Sequence, residues 1–210
     1  MPRKTLPKSQ EHYYHVTARS NNKEYFYLPL YEVWEIMLHH LKMLQADYDL
    51  KIISFVLMSN HFHLLILSPE IPIDKIMYFL MKKVTLEIQK RSHRINKIFG
   101  GRYKGCLIED VSHLVNVYKY IYRNPVAANM CLHVEDYPYS TLQPLSHSLK
   151  LEKIDLSFLS TTDIKNFNEI LWMNKSFSSI EQKSIRSGLR KTLFAYQKDT
   201  SSRKTIEPKF

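Results

Sequence analysis

Glycine, cysteine and long apolar runs are all scarce in this 210-residue chain. Of its four glycines, three (Gly100, Gly101 and Gly105) fall within the single stretch GGRYKG. Neither G-x-x-x-x-G-K-[ST] nor G-x-G-x-x-G occurs, so nothing provides the glycine-rich phosphate cradle of a nucleotide cofactor. Cys106 and Cys131 are too few for a disulfide framework or a cysteine zinc site, and a reducing cytosol is the expected location. No apolar run approaches the roughly 18 residues of a membrane span. The opening MPRKTLPKSQEHYYH has no apolar core to act as a signal peptide. Acidic residues are also in deficit, at 20 against 30 Lys and Arg, for a net charge of +10. Such a balance points to a polyanionic partner, either nucleic acid or an anionic surface.

The positive charge is unevenly placed. From Lys82 to Lys104 there are eight basic residues (Lys82, Lys83, Lys90, Arg91, Arg94, Lys97, Arg102 and Lys104) against the single acid Glu87. A solvated helix face normally mixes both signs, so a one-sided run fits phosphate contacts better. Residues 146–210 carry 12 basic and 7 acidic groups and residues 1–145 carry 18 and 13, so each part is +5.

Periodicity supplies the elements. HYYHVTARS (12–20) alternates as a strand, and Leu30 to Leu44 recur at helical spacing, giving a helix to about residue 47. YDLKIISFVLM (48–58) and HFHLLIL (61–67) are strands that must pair antiparallel across a short Ser59-Asn60 turn. A second amphipathic helix follows SPEIP, then a strand over 102–110. The next helix spans 112–123, with Ser112 as its expected N-cap and Pro125 as its stop. The order β–α–β–β–α–β–α predicts an α+β fold: a two-layer sandwich of a mainly antiparallel sheet with helices on one face. Residues 1–11 read as a mobile basic arm, 12–145 as the main domain, and 146–210 as a basic helical extension with helices near 162–172 and 178–197.

Two segments carry chemistry. In VLMSNHFHLLIL (56–67), His61 and His63 lie on one face of a strand with Phe62 on the other. Two neutral imidazoles on adjacent rungs make half of a metal site, although the pattern also fits two polar residues on a half-exposed strand. In VNVYKYIYRNPVAA, Tyr120 and Asn124 share one helix face while Tyr118 and Tyr122 share another. A phenol beside a divalent cation is a reasonable nucleophile, and an amide oxygen one turn away suits a hard cation such as Mg²⁺ or Mn²⁺. Taken alone, three tyrosines in a helix more often serve packing, and the case for Tyr120 depends on joining it to the histidine strand.

Together these segments resemble the REP-associated tyrosine transposases, single-tyrosine HUH transposases related to the insertion-sequence-200 type. VLMSNHFHLLIL resembles the family's HUH strand and YHVTARSNN its opening strand and turn. GGRYKGCLIED resembles its G-R-[FY]-K strand, YIYRNPVAA its Y-I-x-x-N-P-V-x-A helix, and EDYPYST its ending. The five segments occur in the family's order over residues 12–141. Ser59, Ser20 and Tyr139 depart from the family's proline, glycine and tryptophan. None of the three removes a catalytic atom, and residues 146–210 have no assigned counterpart.

The resemblance implies a ferredoxin-like sheet and a metal-dependent transposase that nicks and rejoins single-stranded DNA. His61, His63 and Asn124 would hold Mg²⁺ or Mn²⁺. Tyr120 would attack a phosphodiester of a hairpin of the repetitive extragenic palindrome (REP) kind, leaving a 5′-phosphotyrosine link. The implied DNA contacts are Arg3 and Lys4 in the arm, Arg19, Lys82, Lys83, Lys90, Arg91, Arg94, Arg102, Lys104 and Arg123. No nucleotide cofactor and no membrane are expected, and the assembly is a monomer or a homodimer. Two alternatives stay open: a silent nucleic-acid-binding protein of the same fold, and a metallohydrolase that uses water.

Overall fold

Period-two alternation builds the sheet. The structure is a computed structural model that describes residues 5–144, 149–156, 167–198 and 204–208. Strand β1 (Tyr13–Arg19) leads to helix α1 (Leu30–Asp47), then to strands β2 (Lys51–Leu57) and β3 (His61–Leu67) and helix α2 (Ile73–Ser92). Strand β4 (Lys104–Ile108) precedes helix α3 (Val111–Ala127), and two shorter helices follow, α4 (Glu169–Asn174) and α5 (Ser179–Gly188). The strands lie in the order β2-β3-β1-β4, with every pairing antiparallel.

On β1, Tyr14, Val16 and Ala18 point into one core, and on β3 Phe62, Leu64 and Ile66 join them beneath α1 and α2. The α+β class and the antiparallel sheet are as the periodicity predicts. The expected helical layer is α1 with α2. The opposite face is covered as well, because Leu65 of β3 and Cys106 and Ile108 of β4 pack against Val117, Tyr118 and Ile121 of α3. A bulge in β2 serves both faces. The register jumps between Ile52 and Ser54, so Ile52 and Phe55 face α1 and α2 while Ile53 and Val56 face α3. One extra residue in a strand reverses which face later side chains meet.

The extension is part of this second core. Trp172, Met173, Ile185, Phe194 and Tyr196 are buried in the α3 cluster. Backbone bonds from Leu107 N to Thr192 O (2.9 Å) and from Phe194 N to Leu107 O (2.8 Å) cover the β4 edge. Residues 139–141 and 151–152 cover the β2 edge in the same way. Both edges are thereby closed to further strand pairing.

Several boundaries differ from those expected. The α3 N-cap is Asp110, whose carboxylate accepts from Ser112 N (2.8 Å) and His113 N (3.1 Å). Nor does Pro125 stop α3, which runs on to Ala127. A proline ring denies an N–H to the carbonyl four residues back, here Ile121. The Asn124 side-chain amide donates to the carbonyls of Tyr120 (2.9 Å) and Ile121 (3.4 Å), so the orphaned oxygen keeps a partner. The second C-terminal helix ends at Gly188 rather than near residue 197, and an extended segment turns back over it. A Cβ on Gly188 would lie 2.7 Å from the Phe194 ring. The other expected helix begins at Glu169 among the described residues, behind an Asn168 N-cap, and its earlier part lies outside them. The described part of the arm is tied down: Tyr14 Oη donates to Pro7 O (2.9 Å), and Leu6 packs on the core. Arg3 and Lys4 lie outside the described residues.

Ser20 sits in ordinary extended backbone at φ −57° and ψ 158°, so a serine is accommodated without strain. The close approach in this turn falls on Gly100, where a Cβ would meet Ser20 O at 3.2 Å. Among the described residues no helix is long and apolar enough to cross a membrane.

Candidate active site

The face of the sheet beneath α3 carries His15, Thr17 and Arg19 from β1, His61 and His63 from β3, and Lys104 from β4. A cleft of about 750 Å³ opens over them and is closed on its far side by Tyr120 and Asn124 of α3. The two pairs predicted separately from the sequence therefore meet in one place. The His63 and Tyr120 rings lie edge to face with centroids 6.1 Å apart, and His61 and His63 are 5.1 Å apart.

The imidazoles are held in defined states. Burial keeps the His61 ring neutral by lowering its pKa to about 4, helped by the charge of Arg19. Asn60 Nδ2 donates to Lys23 O (2.7 Å), so Asn60 Oδ1 accepts from His61 Nδ1–H (2.8 Å) and the Nε2 lone pair stays free. His63 is more deeply buried, and desolvation pushes its pKa well below the ordinary value. Its Nδ1 meets His15 Nε2 at 2.8 Å, while its Nε2 is buried with no hydrogen-bond partner. An orphaned imidazole nitrogen on a cleft wall is the donor atom a metal ion takes. Asn124 commits its amide N–H groups to helix carbonyls, which leaves its oxygen as the atom able to take a cation. Among the described residues no three His, Cys, Asp or Glu side chains form a metal cluster. Any cation here would therefore rest on two histidines, the amide oxygen and its own water or substrate oxygens.

The three tyrosines separate cleanly. Tyr118 Oη donates to Glu169 Oε1 (2.6 Å), and Tyr122 Oη pairs with Thr141 Oγ1 (2.8 Å). Desolvation and the neighbouring Glu169 carboxylate raise the pKa of both. Tyr120 alone faces the cleft. Burial raises its pKa too, but the positive charges of Arg186 and Arg190, which line the same cleft, oppose the rise.

Among the described residues, six Lys and Arg line the cleft (Arg19, Lys23, Arg102, Lys104, Arg186 and Arg190) and no Asp or Glu does. Of the expected DNA contacts, Arg19, Arg102 and Lys104 are here. Lys82 lines a separate apolar groove of about 560 Å³ beside α2, with Lys97, and Arg102 borders both depressions. Arg91 pairs with Glu87, and Arg94 lies 3.5 Å above the Tyr27 ring centroid. Lys83 and Lys90 sit on α2, on the opposite side of the sheet from the cleft. Arg123 is turned away from the cleft, with its Nη1 donating to Met173 O (3.1 Å). Sequence reading missed His15, Arg186 and Arg190. His15 was legible as the residue two positions before Thr17 on the histidine-facing side of the first strand. The arginines had no periodic signal pointing to the site.

A buried tyrosine, two neutral imidazoles and a cleft lined by basic residues are the chemistry suited to handling nucleic-acid phosphates. The chain belongs to the family described as "Transposase IS200 like", which matches residues 8–124. That match takes in His15, His61, His63, Tyr120 and Asn124, and it makes the protein a transposase-type, DNA-processing enzyme. The fold resembles a solved REP-associated tyrosine transposase bound to a REP hairpin. That likeness has a TM-score of 0.59 and 19% identity, over 80% of this chain and 95% of the other. A transposase candidate from Deinococcus radiodurans matches at a TM-score of 0.39 and 16% identity, over 58% of this chain and 94% of that one. No curated protein matches.

Proposed function

We propose that the protein is a single-tyrosine HUH transposase of the REP-associated kind, which cleaves and rejoins single-stranded DNA next to a hairpin. The observation that carries this reading is the meeting of Tyr120 and Asn124 with His61 and His63 in a cleft whose charged lining, among the described residues, is all basic. The Tyr120 oxygen attacks the phosphorus of a phosphodiester, and its proton passes to solvent. The new O–P bond forms as the P–O3′ bond breaks, giving a 5′-phosphotyrosine and a 3′-oxygen that takes a proton. A second 3′-OH reverses the step, so the energy of the broken bond is kept and no nucleotide is consumed. His61, His63 and Asn124 would hold a Mg²⁺ or Mn²⁺ ion, which when bound would supply polarisation of the scissile phosphate. Arg19, Arg102 and Lys104 attract the strand, and Lys82, Lys83 and Lys90 on α2 meet the hairpin stem.

The test is an SDS-resistant adduct. With Mn²⁺ and a labelled hairpin carrying a single-stranded flank, the wild-type protein forms it, and Tyr120→Phe and His61→Ala do not. An adduct that survives Tyr120→Phe overturns the nucleophile. Binding without cleavage across a panel of genomic hairpins overturns the enzyme reading in favour of a binding protein.

A further inference from the structure

Part of the cleft wall comes from outside the family-matched residues. Arg186, Leu189 and Arg190 stand at i, i+3 and i+4 where α5 ends, the spacing that puts them on one face, and all three line the cleft. The helix is firmly seated. Ser178 and Glu181 form a capping box at its start, and Ile185 is fully buried in the α3 cluster. Ser184 Oγ donates to Ile206 O (2.7 Å) and accepts from Gln197 N (2.9 Å). Gly188 lets Phe194 press against the helix end, and its carbonyl faces Cys106 Sγ of β4 at 3.6 Å. The two arginines are thus built into the active-site wall.

Neither arginine has a carboxylate partner among the described residues. Arg186 lines the same cleft as Tyr120, close enough for its charge to oppose the burial of the phenol. A guanidinium only donates, so Arg186 cannot compete for the Tyr120 proton, which remains free to leave. An unpaired fork of N–H donors beside the attacking oxygen also matches the geometry of a phosphate.

We propose that Arg186 is a catalytic residue of this site. Its guanidinium holds the scissile phosphate against Tyr120 during attack and then the phosphate of the phosphotyrosine, with Arg190 beside it. The C-terminal extension therefore completes the active site. This inference rests on Tyr120 being the nucleophile, and it adds a group that residues 8–124 do not contain.

The experiment measures adduct formation and DNA affinity together. Arg186→Gln should slow adduct formation by about 100-fold, the loss typical for one preorganised charge-stabilising donor. Arg186→Lys, which keeps the charge but loses the fork, should fall between Arg186→Gln and wild type. Lys183→Gln, the same charge change on an exposed position of α5 outside the cleft, should behave as wild type. In the non-cleaving Tyr120→Phe background, Arg186→Gln should weaken binding of a flank-bearing hairpin by about 10-fold and leave a flank-less hairpin unaffected. Adduct formation at the wild-type rate in Arg186→Gln overturns the proposal. Faster formation also overturns it, because the contact would then be a guard on the tyrosine. If wild type forms no adduct while the flank-specific loss of binding persists, the transposase chemistry fails and the phosphate contact stands.

Discussion

His15 Nε2 and His63 Nδ1 lie 2.8 Å apart on neighbouring strands, with the rings stacked at 25°. Both rings are buried and neutral, His15 being pushed down to about 3 by desolvation and then by His61. One proton must lie between the two nitrogens. If it belonged to His15, His63 would carry its N–H on Nε2, leaving a buried donor without a partner, the rarer and costlier arrangement. With the proton on His63 Nδ1, the Nε2 lone pair faces the cleft. His15 thereby fixes the tautomer of His63 that a cation requires.

His15→Phe should lower Mn²⁺ affinity of the DNA-free protein by about 10- to 100-fold, the usual range for losing such an outer partner. His15→Gln, whose amide oxygen accepts at nearly the same place, should retain most of the affinity. Mn²⁺ titration followed by electron paramagnetic resonance reads both directly. Equal affinity in all three proteins would show that His63 needs no acceptor.

Pro125 bears on the same site from α3. Its missing N–H leaves the Ile121 carbonyl to the Asn124 amide, which holds the amide nitrogen against the helix. Pro125→Ala restores a backbone donor and removes a residue that costs up to about 3 kcal/mol in a helix interior. The variant should melt at a higher temperature and yet bind Mn²⁺ more weakly, because Asn124 gains freedom to turn. A rise in stability with no loss of affinity would separate the proline from the metal site.

Much of this was legible in the sequence because periodicity and local chemistry agree there. The alternation around His61 and His63, and the four-residue spacing of Tyr120 and Asn124, fix which side chains share a face. What was not legible depends on tertiary contact. Ser112 is a good N-cap residue, but the Asp110 carboxylate starts the helix two residues earlier by taking the N–H groups of Ser112 and His113. Pro125 reads as a stop because its rescue comes from a side chain rather than the backbone. Arg186 and Arg190 sit more than 60 residues beyond Tyr120 in a short helix whose seat depends on Gly188 and Phe194. No spacing rule links such residues to a strand near the start of the chain.

Tyr118 and Tyr122 serve as internal controls. Tyr118→Phe removes a hydrogen bond to the Glu169 carboxylate, worth about 1.5–3 kcal/mol, and should lower the melting temperature. Tyr122→Phe should do the same more mildly, since Thr141 Oγ1 keeps a bond to Phe55 O (3.2 Å). Both variants should still form the Tyr120 adduct below their melting temperatures. Loss of the adduct in a folded Tyr122→Phe protein would reopen the choice of nucleophile.

The distribution of cations predicts two separable modes of DNA contact. Arg102 and Lys104 line the cleft with Tyr120, whereas Lys83 and Lys90 lie on α2 across the sheet. Each phosphate neutralised contributes about 0.7–0.9 to the slope of log affinity against log salt. Lys104→Gln should reduce that slope by about one such increment for a hairpin with a single-stranded flank and leave a flank-less hairpin unchanged. Lys83→Gln and Lys90→Gln should reduce it equally for both substrates, because their contacts are with the stem. Arg102 borders the cleft and the α2 groove alike and pairs with Asp74 at 2.7 Å. Its replacement should therefore affect both substrates, but by less than a full increment, since some of its charge is already neutralised. Salt titrations of the four variants with the two oligonucleotides give eight slopes. A flank-independent effect of Lys104→Gln would move the single strand out of the cleft.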